Sequence, residues 1–194
     1  MTTLTRNDLM SLELYAGERD SFRDKVMAHK QARRIGLGPH VTLYFEDRLT
    51  IQYQVQEMLR AEKIFEPESI QAELDAYNPL IPDRSTLKAT MMIEFEDEQE
   101  RRAALAKWGG IEDRVWLSCQ GGERCYAVAD EDLERRTNQR TSAVHFLRFD
   151  LDDRTAESIR NAAPLAMGVD HELYTETVDP VPEVLSRSLA NDLR

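Results

Sequence analysis

The stretch Asp47–Pro82, DRLTIQYQVQEMLRAEKIFEPESIQAELDAYNPLIP, with the apolar run Leu87–Phe95, LKATMMIEF, just beyond it, decides the fold class. It reads as helix, short turn, helix, Pro-bracketed loop and core strand. Asp47 is a cap for the first helix. From Gln54 to Ala61 the residues are good helix formers with weak strand preference, which favours helix over a hairpin strand through Leu49, Ile51, Tyr53 and Val55. At helical spacing Ile51, Val55, Met58, Leu59 and Phe65 share one arc. The second helix covers about Glu68–Tyr77, with Ile70, Leu74 and Tyr77 as its stripe. It ends at Asn78-Pro79, because the residue before proline avoids helical geometry.

Towards the N-terminus, Asn7 or Thr5 caps a short helix through Tyr15 that Gly17 stops. A further helix runs from about Asp20 to Arg34, its stripe Phe22 and Val26 continuing at the same spacing to His29 and Arg33. Gly36, Gly38 and Pro39 break it, and His40–Phe45 then alternates as a strand with Val41, Leu43 and Phe45 on the buried face. Towards the C-terminus, Leu87–Phe95 is a strand and Asp97 caps a helix through Trp108, stopped by Gly109-Gly110. Val115–Cys119 and Arg124–Ala129 form a hairpin. The run DEDLERRTNQR (130–140) is a solvated, charged, helix-like connection, and Ser142–Leu151 is a strong strand. A helix opening at Asp153 or Thr155 is interrupted by Pro164 and Gly168, and Pro180 and Pro182 lead into a last amphipathic helix.

Helices and strands intermix without a regular parallel-sheet rhythm. The expected class is therefore α+β, with a mixed or antiparallel sheet and helices packed on it. A single domain is expected, with a helical part at 5–34, a core at 40–170 and a C-terminal helix at 182–193. The apolar Val184, Leu185 and Leu189 of that helix suit either a homodimer or docking on the protein's own core.

Of 194 residues, 41% are hydrophobic and 31% charged, an ordinary soluble composition. No apolar run approaches the roughly 20 residues that span a bilayer, and the start, MTTLTRNDLMSLELY, lacks a signal-peptide pattern. A cytoplasmic protein with no membrane partner is expected. The formal charge of −11 repels phosphate backbones, so no nucleic-acid partner is expected either. The basic stretch Lys25–Arg34 reads as a solvated helix end, where cations complement the helix dipole, before an RNA or lipid patch. Cys119 and Cys125 flank CQGGERC. A two-residue turn at Gly121-Gly122 would face Ser118 to Cys125 and put the thiols on opposite faces; a three-residue turn at Gly121–Glu123 would pair them. Free thiols are the expectation, a redox pair the alternative.

Phosphate-cradling, dinucleotide, HExxH and GxSxG fingerprints do not occur in the sequence. The remaining chemical candidates are polar groups on apolar faces. Glu62 sits on the arc of the first organising helix, and Glu73 lies inside the stripe of the second. His145 shares a strand face with Ala143, Leu147 and Phe149, and His40 opens the strand before the first helix. A buried carboxylate must be paired, protonated, hydrogen-bonded or metal-bound. One reading joins His40, Glu62, Glu73 and His145 around a divalent iron, manganese or zinc ion. The other pairs the glutamates with arginines such as Arg60 or Arg84 and leaves His145 hydrogen-bonded in the core.

The segments GPHVTLYFEDR, QVQEMLRAEKI, ELDAYNPLIP, LKATMMIEF, GIEDRVW and VHFLRFDL resemble the bacterial domain of unknown function 3501 family, from about Leu4 to Leu193. The resemblance implies no catalytic residue. It implies a gene context, beside a rubrerythrin and a cysteine-rich iron–sulfur oxidoreductase. The expected role is therefore an accessory or partner of a cytosolic non-haem iron or iron–sulfur redox system dealing with peroxide. The alternative is the metal-dependent enzyme just outlined.

Overall fold

The computed structural model describes residues 3–129 and 141–194, so the charged run at 130–140 lies outside the described residues. The helix at the centre of the sequence forms as its residues dictate. α2 (Arg48–Ala61) is capped by Asp47, whose Oδ1 accepts the Thr50 N–H at 2.9 Å while Thr50 Oγ1 accepts the Asp47 N–H at 2.9 Å. α3 (Pro67–Tyr77) starts on a proline, whose missing N–H is no loss in a first turn. The stripe of α2 and α3 does not enter the sheets' core. Ile51, Val55, Leu59 and Leu74 close a small core of their own with Leu4 and Ile81.

The N-terminal helix differs from the sequence expectation. A 3-10 turn at Arg6–Asp8 follows Thr5, and one unbroken helix, α1 (Leu12–Gln31), then runs straight through Gly17. Glycine disfavours a helix interior by about 1 kcal/mol, which packing of the buried Tyr15 and Val26 offsets. Gly17 is exposed and has nothing within 4 Å of the place a Cβ would take. Gly17→Ala is therefore expected to raise stability by about 0.5–1 kcal/mol, read as a higher urea midpoint at unchanged slope.

The main core lies between two antiparallel sheets. In the first, β1 (Arg34–Leu37), β2 (Val41–Phe45), β3 (Thr86–Ile93), β7 (Val144–Asp150) and β6 (Val128–Ala129) stand in that spatial order. In the second the order is β5 (Cys125–Tyr126), β4 (Val115–Cys119), β8 (Leu165–His171) and β9 (Tyr174–Val178). Leu43, Leu87, Met91, Leu147 and Phe149 from one sheet meet Val115, Leu117, Met167 and Val169 from the other. α4 (Glu98–Lys107), α5 (Asp153–Arg160) and α6 (Glu183–Asp192) complete the chain. Leu185 and Leu189 of α6 are buried in that core, and Val184 stays 64% exposed. The protein is a single α+β domain, and among the described residues no helix is long and apolar enough to cross a membrane.

Three further expectations are corrected. The helix expected to run to Arg34 and break at Gly36 ends at Gln31, and Gly36 lies in a strand, β1. The segment after α5 is the pair β8–β9, not an interrupted helix: Leu165, Ala166 and Met167 favour helix locally, but pairing with β4 and β9 on both sides prevails. Arg124–Ala129 is not one strand, because Cys125–Tyr126 pairs with β4 while Val128–Ala129 pairs with β7 in the other sheet.

Candidate functional site

The four residues proposed as metal ligands each have a separate local setting. His40 is half-buried with its ring stacked on Phe95 at 3.8 Å, and its Nδ1 lies 3.1 Å from the Glu94 carbonyl. Glu62 is exposed. α2 ends at Ala61, so Glu62 is the C-cap and the apolar arc stops before reaching it; Phe65, the arc's last member, is 69% exposed. Glu73 is half-buried on α3, where burial and the nearby Glu73 charge push the Tyr77 hydroxyl up. His145 is buried on the inward face of β7, as its spacing predicts. The Thr141 hydroxyl donates to Glu112 at 2.9 Å and lies 2.7 Å from His145 Nε2, which is 3.0 Å from the Ser142 carbonyl. Because the hydroxyl proton goes to Glu112, Nε2 carries a proton and donates to Thr141 and Ser142. Among the described residues, no three His, Cys, Asp or Glu side chains come together in a group that could hold a metal ion.

The sequence reading placed Arg33 on a solvated helix end. The structure buries it, with 2% exposed. Its Nε donates to the Phe45 carbonyl at 2.9 Å, and its guanidinium reaches the Glu46 carbonyl, the Ser188 hydroxyl and both oxygens of Asp192. Asp47, shared with His29 at 2.5 Å, lies 3.5 Å from the same guanidinium. This knot ties α1, the β2–α2 junction and α6 together. Against the cost of burial, the Arg33 charge and the Thr50 and His29 hydrogen bonds hold the Asp47 carboxyl below its usual range.

Asp192 goes the other way. Burial, only partly offset by Arg33, pushes its carboxyl from 3.8 up to about 6. The folded state thus prefers the protonated acid, a preference fully present below pH 3.8 and lost as pH rises through 6. Between pH 7.5 and pH 5 the protein is expected to gain about 1–1.5 kcal/mol of stability through this group. Urea unfolding across that range checks it, and Asp192→Asn is expected to remove the gain.

The hairpin brings together groups that the sequence reading kept apart. Its turn lies one residue earlier than expected: Gly122 N–H bonds to the Cys119 carbonyl at 2.9 Å, with Gln120 at φ 52° and Gly121 at φ 68°. Both turn residues are left-handed, the pattern of a primed two-residue turn. Leu117 then faces Cys125, so one extra residue sits in the return arm. Facing residues share a sheet side, and so do residues two apart on one strand. Cys119 and Cys125 therefore lie on the same face, both half-buried and free.

Both thiols line one cleft of about 500 Å3 between the hairpin and the start of α5, together with Asp150, Asp152, Arg154 and Ser158. The Cys125 thiol donates to the Asp150 carbonyl at 3.2 Å. Burial pushes both thiols up; the Ser158 hydroxyl pulls Cys119 back, while the Asp150 and Asp152 charges raise Cys125 further. Arg124, also on the cleft wall, stacks 4.1 Å over the Trp116 ring and donates to Asp170 at 2.9 Å. The spacing of the cysteines and the turn alone do not find this site, because a regular two-residue turn leaves the thiols on opposite faces; the extra residue in the return arm brings them together.

A search of curated proteins gives no match. Among solved structures, a protein of unknown function from Burkholderia pseudomallei K96243, determined by crystallography at 1.90 Å, is 51% identical; the match covers 100% of both chains with a TM-score of 0.93. The profile of the proteins of unknown function called domain of unknown function 3501 matches residues 3–193. This chain is a member of the domain of unknown function 3501 family.

Proposed function

We propose that the protein is an accessory partner of a cytosolic redox system built on a non-haem iron or iron–sulfur protein, such as a rubrerythrin or an iron–sulfur oxidoreductase. The observation that supports this most is the shared cleft of Cys119 and Cys125, two reducing side chains on one concave surface at the hairpin tip. The gene context implied by the family resemblance points to the same chemistry. Arg154 and the α5 side of the cleft supply polar groups that a partner surface would meet. The alternative, a divalent-metal enzyme using His40, Glu62, Glu73 and His145, has no convergent ligand group to support it.

The test is affinity capture of the chain from the cells that make it, in reducing buffer. An iron-containing redox protein is expected in the eluate at stoichiometric level, and depleted when Cys119 and Cys125 are both serine. An eluate that never contains such a protein contradicts the proposal.

A further inference from the structure

We infer that Cys119 and Cys125 form a dithiol–disulfide couple that closes across the hairpin tip. This deepens the accessory-partner reading and rests on the same cleft, but its chemistry needs no partner protein.

The argument begins with register. With Leu117 opposite Cys125, Cys119 is the diagonal neighbour of Cys125 on the same sheet face. Diagonal pairs in antiparallel sheets have Cα atoms about 7–8 Å apart, whereas a disulfide needs about 4.4–6.8 Å. Closure therefore requires the return arm to move by about 1–2 Å, from the diagonal spacing to the usual disulfide spacing. The arm can make such a shift. Cys125 sits in a strand of two residues at the edge of its sheet, and the arm carries the extra residue between the turn and Leu117's partner. Gly121 and Gly122 put no side chain in the way, and both are exposed.

The local environment assigns the two roles. Ser158 stabilises a thiolate at Cys119, while the carboxylates of Asp150 and Asp152 disfavour one at Cys125. Cys119 therefore attacks and Cys125 resolves. With hydrogen peroxide as oxidant, the Cys119 sulfur attacks one peroxide oxygen, the O–O bond breaks, and the departing oxygen leaves as water. The Cys125 sulfur then attacks the resulting sulfenic acid; the S–O bond breaks and a second water leaves. Two thiols and one peroxide give one disulfide and two waters, the two electrons coming from the two sulfurs. Because burial pushes both thiols up, closure is expected to be slow at neutral pH and to accelerate as pH rises.

The experiment uses the full chain, reduced and then treated with equimolar hydrogen peroxide. Intact mass spectrometry is expected to show loss of two hydrogen atoms, with both cysteines resistant to alkylation until dithiothreitol is added. Cys125→Ser is expected to stop at a sulfenic acid on Cys119 that a dimedone probe captures. Two thiols that stay alkylatable in the wild-type chain overturn the inference. So do products limited to intermolecular disulfides or to over-oxidation of one cysteine. A disulfide formed in purified protein with no iron protein captured from cells keeps the couple and removes the partner proposal; the reverse result removes the couple alone.

Discussion

Arg33→Met is expected to destabilise the protein by about 3–5 kcal/mol, because it strips the cation from a buried ionic knot and leaves Asp192 and Asp47 facing each other. The methionine keeps most of the side-chain volume, so the loss measures charge more than packing. Urea unfolding at pH 7.5, where Asp192 is ionised, reads it directly. The companion variant Arg33→Met with Asp192→Leu is expected to recover a large part of that loss, since removing both charges is far less costly than removing one. A double variant as unstable as the sum of the two singles would mean that Arg33 and Asp192 do not act as a pair.

Gly168→Ala is the second large effect, and here the cause is steric. A Cβ at Gly168 would lie 2.4 Å from the Glu176 carbonyl and 2.6 Å from the Trp116 ring. One obstacle is strand backbone and the other is an indole pinned beneath Arg124, so neither can swing aside as a flexible side chain would. Overpacking of this kind costs about 1–3 kcal/mol. The measurement is the denaturant midpoint together with the near-ultraviolet dichroism of the tryptophans. An unchanged midpoint and spectrum would show that Trp116 does not cross β8 as closely as described. Gly17→Ala, with open space around it, is the contrasting case.

What the sequence revealed about the fold follows from local signals. Asp47 as a helix cap, the end of α3 at Asn78-Pro79 and the strands β3 and β7 are readable because each signal acts within a few residues. Arg33 was half legible. It continues the stripe of Phe22 and Val26, which pointed inward, but its partner Asp192 is 159 residues away and nothing local announces it. Strand β8 was hidden because Leu165–Met167 has helical preference, overruled by two flanking strands. Glu62 failed as an inward residue because a helix that ends one residue earlier has no arc left to place it on.

The candidate site was lost to a single residue of register. Gly121-Gly122 looked like the turn, yet the two left-handed positions are Gln120 and Gly121. A two-residue turn at either place leaves the thiols on opposite faces; the extra residue in the return arm, which brings Cys125 opposite Leu117, puts them on the same one. His145 lies on the inward face its spacing gives, and there it is hydrogen-bonded inside the core to Thr141 and the Ser142 carbonyl.

The most direct test of the cleft as the working surface is hydrogen exchange on the captured complex, compared with the free chain. Residues 119–125 and 150–158 are expected to be protected on partner binding, with α1–α3 unchanged. Protection confined to the N-terminal helices, with the hairpin and the start of α5 exchanging as in the free protein, would contradict the account.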